Sequence, residues 1–88
     1  MLQIIEMKRF EKELKLAKKR GKPIAKLIEV VEMLAKEEPL AEKHRQHRLT
    51  GNWNSFHECH IEPDWLLIYR IEEGFLILAR TGTHSDLF

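Results

Sequence analysis

The apolar residues of this chain change period part-way along, and that change most limits what it can fold into. Over residues 8–35 they recur every three or four positions, the spacing of a helix face. Over residues 55–81 they gather into three short runs divided by turn formers, which is the signature of strands. A short run at the N-terminus, Leu2-Gln3-Ile4-Ile5, is a further strand candidate.

The first helix is predicted over residues 8–19, with Met7, Phe10, Leu14 and Ala17 on one stripe. Lys8, Lys12, Lys15 and Lys19 occupy a second stripe away from it, and Leu16 falls nearly opposite the apolar one, where it is expected to be exposed. Arg20-Gly21-Lys22-Pro23 breaks the pattern: glycine ends a helix readily, and proline suits the first turn of the next. The second helix is predicted to run to about residue 37, with Ile24, Leu27, Ile28, Val31, Leu34 and Ala35 as its apolar face. So short a break implies an antiparallel helical hairpin. Residues 39–54 read as a polar segment, with Gly51, Asn52 and Asn54 as turn formers. Strands follow at 55–61, 65–71 and 75–81, joined by Glu62-Pro63-Asp64 and Glu72-Glu73-Gly74. The order is β-α-α-β-β-β. It predicts one α+β domain over residues 1–88: an antiparallel sheet with a two-helix hairpin packed on one face and the other face free for function.

Charge is uneven along the chain. Residues 1–48 hold thirteen Lys/Arg against eight Asp/Glu, and residues 49–88 hold two against six. The basic half suits an anionic partner, nucleic acid or an acidic protein, although a solvated helix face looks the same. With Cys59 as the one cysteine no disulfide can form within the chain, which fits a reducing cytosol. No run of 18 apolar residues is present, so no membrane partner is expected.

Five histidines in 88 residues are the chemical feature of note: His44, His47, His57, His60 and His84. Histidine exchanges protons near neutral pH. His44-x-x-His47 and His57-x-x-His60 have the look of metal-ligand pairs. In a strand, however, residues three apart point to opposite faces, so His57 and His60 cannot share an ion. Alternation places His57, Cys59 and Ile61 toward the helices, and Phe56, Glu58 and His60 on the open face. Cys59 then reads as core rather than as a nucleophile. An antiparallel meander can gather His60, Asp64, Arg80 and His84 at one end. Two histidines, a carboxylate and an arginine suffice to cleave RNA through its own 2′-hydroxyl, with no metal and no cofactor.

Two segments sharpen that reading. The run from His60 to Tyr69, His-Ile-Glu-Pro-Asp-Trp-Leu-Leu-Ile-Tyr, is similar to the histidine, x, x, proline, aspartate and apolar strand of the YafQ-type toxins in the RelE/ParE superfamily. The C-terminus from Arg80, Arg-Thr-Gly-Thr-His-Ser-Asp-Leu-Phe, resembles their closing signature. Glu37-Glu38-Pro39-Leu40 and the run from His47 to Trp53 also match the family linker, and the first helix is the least specific part.

The resemblance implies a RelE-like fold and a cytoplasmic toxin of a type II toxin–antitoxin system. Such a toxin is a metal-independent endoribonuclease that cuts mRNA, on or off the ribosome, and is silenced by a cognate antitoxin. Operator DNA would be met only through that antitoxin. By position, His47, His60, Asp64 and His84 match catalytic residues, Arg80 a phosphate-binding arginine, and Phe88 a terminal phenylalanine that positions substrate. Trp65 matches a bulky position beside the site, with core packing as its other reading. Lys15, Lys18, Lys19 and Lys22 are candidate RNA contacts or simply a solvated face. His44 and His57 match no functional position; His44 reads as surface and His57 as inward-facing or partly buried. The resemblance leaves open which histidine is acid and which base. The competing classes are a ParE-like gyrase inhibitor and a non-catalytic binding module, since one fold carries several functions.

Overall fold

The computed structural model describes residues 1–88. Strand β1 (Gln3–Glu6) leads into helices α1 (Lys8–Lys19) and α2 (Ile24–Ala35). Short strand β2 (His47–Arg48) lies between two 3₁₀ turns, Glu42–His44 and Gly51–Trp53. Strands β3 (His57–Glu62), β4 (Trp65–Glu72) and β5 (Phe75–Gly82) follow, and a single turn of helix, α3 (His84–Leu87), ends the chain. The sheet order is β1-β5-β4-β3-β2. Strands β2 to β5 are antiparallel, and β1 joins the β5 edge in parallel.

The helical hairpin forms where the breaker residues stand. Gly21 takes a φ of 77°, and the Gly21 and Lys22 amides donate back to the Lys18 and Ala17 carbonyls. That pair of bonds closes α1 in a Schellman motif, for which glycine is the residue of least strain. Phe10 and Ala17 of α1 and Leu27, Val31, Leu34 and Ala35 of α2 are buried against Cys59, Ile61, Leu67, Tyr69, Leu76 and Leu78 of the sheet. The α2 stripe is turned slightly from the one expected. Val30 is buried and Ile28 is exposed, because Ile28 lies at the border of the stripe, away from the sheet.

Two differences from the sequence reading bear on the site. The polar segment is not a plain loop: β2 pairs His47 with Glu58 and Arg48 with His57, adding an edge strand. The far face of the sheet is also only partly free. Leu66, Ile68, Ala79 and Leu87 make a second small cluster there, and Leu49, Trp53 and Phe56 pack on it. The linker and α3 therefore wall the open face, with His47, His60 and His84 gathered between them. No helix is long and apolar enough to cross a membrane.

Candidate active site

Strand alternation delivers His60 and Glu58 to the far face of β3, as expected, and Cys59 and Ile61 to the core. Three of the imidazoles share one arrangement. His60 Nδ1 lies 3.1 Å from the Pro63 carbonyl, His47 Nδ1 2.8 Å from the Arg45 carbonyl, and His44 Nδ1 2.7 Å from the His60 carbonyl. A carbonyl only accepts, so in each ring Nδ1 carries the proton. His47 and His60 then turn their Nε2 atoms to one oxygen of Glu58, at 3.5 and 3.4 Å. Glu58 is buried between them and is the site residue that sequence reasoning missed. Its role depends on β2, and two paired residues leave no periodic signal.

His84 starts α3 just past the end of β5. Its backbone N–H donates to Asp64 Oδ1 at 2.9 Å, and its ring Nδ1 donates to the same oxygen at 2.6 Å. Asp64 sits in the tight turn between β3 and β4, so the β3–β4 hairpin meets the C-terminal helix here. The His84 backbone bond, then its ring bond, holds the Asp64 carboxyl below the usual carboxylate range, so it is ionised at neutral pH. His84 Nε2 is left uncommitted. The His60 and His84 ring centres stand 5.7 Å apart. His47, Glu58 and His60 form one polar group and His84 with Asp64 a second, and the two meet where the His60 and His84 rings face each other.

The other expected residues divide. Phe88 is 62% exposed, with its amide donating to the His84 carbonyl, so its ring stands free beside the site. Arg80 is 7% exposed and is not a free phosphate ligand. Its Nε and Nη2 grip Glu13 at 2.8–3.1 Å, and Nη2 also reaches the Asp86 carbonyl at 3.4 Å. Trp65 is 1% exposed and donates its indole N–H to Thr81 Oγ1 at 2.9 Å. It is a core residue and has no surface to offer RNA. Lys15, Lys18 and Lys19 are exposed on α1, whereas Lys22 is half-buried. Lys22 bonds Glu62 at 3.1 Å and lies 5.9 Å from the centre of the Trp65 ring, so its charge is already engaged. His44 is half-buried rather than on the surface, because its ring docks the first 3₁₀ turn onto β3. His57 stacks on Tyr69 at 5.5 Å, away from the site. Cys59 is buried, and burial pushes its thiol up to about 12, so it carries no thiolate at neutral pH.

A family model described as bacterial toxin of type II toxin-antitoxin system, YafQ, matches residues 2–88. The chain belongs to the YafQ family. It is 40% identical over 80 residues to the mRNA interferase toxin YafQ of Escherichia coli K12, covering 90% of this chain and 87% of that one. A metal-bound toxin from Helicobacter pylori superposes with a TM-score of 0.95 at 47% identity, with full coverage of both chains. The toxin in the E. coli DinJ–YafQ complex superposes with a TM-score of 0.92 at 37% identity, over 100% of this chain and 99% of that one. That H. pylori toxin holds a metal, but the donors of this chain are not arranged for one. No three His, Cys, Asp or Glu side chains converge to hold an ion. In this YafQ-family chain Glu58 serves two imidazoles and Asp64 serves His84, and His44, His47, His60 and His84 are tied back through Nδ1.

Proposed function

We propose that this chain is an mRNA-cleaving endoribonuclease that acts without a metal, by attack of the RNA 2′-hydroxyl on the adjacent phosphate. The observation that carries the reading is the pair of imidazoles 5.7 Å apart, one fixed in its tautomer by an ionised carboxylate. Cleavage needs one group to take the 2′-hydroxyl proton and another to protonate the 5′-oxygen as the P–O5′ bond breaks. The products are a 2′,3′-cyclic phosphate and a 5′-hydroxyl. His84 presents a free Nε2 because Asp64 occupies Nδ1, in the manner of a carboxylate-oriented catalytic histidine. His60 and His47 both face Glu58 through Nε2, so one buried carboxylate orients the two rings and places His60 as the second proton-transfer group. Phe88 is free to stack on a base and hold the strand in line. Arg80 serves the reaction chiefly by its place behind α3, with Nη1 as its one nitrogen outside the Glu13 and Asp86 contacts.

The activity is held silent by an antitoxin, as the complex of the E. coli relative with DinJ suggests. The exposed α1 face, with Lys12, Lys15 and Lys19 around Leu16, suits an acidic segment that folds on binding. Leu16, 42% exposed, is its apolar anchor. The test is expression in a bacterial host with and without a matching antitoxin. Growth should stop with the toxin alone and resume with both, and His84→Ala should not arrest growth. Arrest by His84→Ala equal to that by the unaltered chain would sink the ribonuclease reading.

A further inference from the structure

We propose that Arg20, in the turn of the helical hairpin, is a positioning residue for cleavage: by holding Asp86 it sets where α3 presents His84 and Phe88. The proposal rests on the ribonuclease reading above. A four-residue helix cannot maintain its own position, since helix formation only becomes favourable well beyond one turn. Its place must come from anchors. Leu87 is buried beneath it, and the Asp64 bonds fasten its N-terminal residue at the front.

The rear anchor is Asp86. Arg20 Nη1 donates to Oδ2 at 2.7 Å and Nη2 to Oδ1 at 3.4 Å, a two-pronged contact across the back of α3. The same carboxylate accepts the Thr83 N–H at 2.9 Å, and the Asp86 N–H donates to Thr83 Oγ1 at 3.1 Å, closing a capping box. The fit beneath is tight. A Cβ at Gly82 would stand 2.9 Å from the Asp86 Cβ and 3.0 Å from its Oδ2. Asp86 therefore lies directly on β5, with no room to shift toward it.

A second tether runs parallel to the first. Glu13 grips Arg80, whose Nη2 reaches the Asp86 carbonyl at 3.4 Å. One tie starts from Glu13 on α1 and the other from Arg20 just past its end, so both fasten α3 to the same helix and the turn that closes it. The Arg20 and Asp86 side chains keep 43% and 27% of their exposure, and such pairs add little to global stability. Their effect is therefore to be read in the rate.

The experiment measures kcat, KM and Tm for RNA cleavage by the full chain and its variants. Arg20→Ala should lower kcat by roughly tenfold to a hundredfold, the scale of an ångström-sized misplacement, with KM within about twofold. Its Tm should stay within a few degrees, and Arg20→Lys should recover part of the loss. Gly82→Ala, which pushes Asp86 outward with Arg20 intact, should show the same kcat defect. Arg20→Ala in an Asp86→Ala background should cost nothing further, because the partner is already gone. A raised KM with unchanged kcat would instead make Arg20 a phosphate contact and overturn the proposal, as would full activity in either single variant. If the unaltered chain cuts no RNA, the ribonuclease reading fails, and NMR still decides the positioning role. Arg20→Ala must then shift the His84 ring and Phe88 amide signals and leave those of His44 in place; unshifted signals overturn it.

Discussion

Replacing Trp65 by phenylalanine separates a packing role from an RNA-contact role at the position next to Asp64, the aspartate proposed to orient His84. The indole N–H donates to Thr81 Oγ1 at 2.9 Å, and that hydroxyl donates in turn to the Leu66 carbonyl at 2.7 Å. Phenylalanine removes the first bond and leaves the buried Thr81 oxygen without its donor, at a cost of about 1–3 kcal/mol. The smaller ring also leaves a void of roughly 40 Å³, worth about 1 kcal/mol. The sum, about 2–4 kcal/mol, should lower the melting temperature by at least roughly 10 °C in a domain of this size. Cleavage per folded molecule, measured well below the transition, should keep its KM, because the ring reaches no solvent. Thermal unfolding followed by circular dichroism, paired with cleavage kinetics, checks both halves. A KM raised several-fold with an unmoved melting temperature would refute the packing assignment.

Removing either ring proposed to transfer a proton, by His60→Ala or His84→Ala, should slow cleavage by about 10²–10⁴-fold, measured in single turnover. Asp64→Asn should be similarly severe, since it leaves His84 without the carboxylate that fixes its tautomer. Deleting Phe88 should cut cleavage sharply with little change in Tm, since its ring is exposed; a collapse in Tm would make it a packing residue. Acid should loosen α3 only at low pH. Asp64 and Asp86 are held below the usual carboxylate range, Asp64 by the His84 backbone bond and Asp86 by Arg20. A carboxylate lowered in the folded state gives its full stabilisation above its unfolded value of about 4 and loses it as pH falls through the folded one. Amide exchange at Leu87 and Phe88 should therefore reveal opening below about pH 4, and opening already between pH 5 and 7 would contradict this.

The parts of the fold carried by repeating patterns were legible in the chain. The α1 stripe, the break at Gly21 and the three long strands follow from periodicity and turn chemistry, and the alternation in β3 correctly separated Cys59 from His60. What was not legible depends on partners distant in sequence. Glu58 becomes a site residue only because β2 pairs His47 opposite it. Arg80 is withdrawn from solvent by Glu13, a residue 67 positions away on α1. Trp65 fits a site position by its neighbours in sequence, but the sheet turns it into the helix-side core. His44, with no periodic context, could not show that its ring would dock on the His60 carbonyl.

The most direct test of the central claim is the chemistry of the cut ends. A defined mRNA, free and on translating ribosomes, is treated with the purified chain in excess chelator, alongside the same mRNA with a single 2′-deoxy substitution at the cut site. The expected result is cleavage of the unmodified strand to a 2′,3′-cyclic or 3′-phosphate and a 5′-hydroxyl, with no cut at the substituted position. Cleavage at the 2′-deoxy position, a 5′-phosphate product, or activity that chelator abolishes and added metal restores would contradict it.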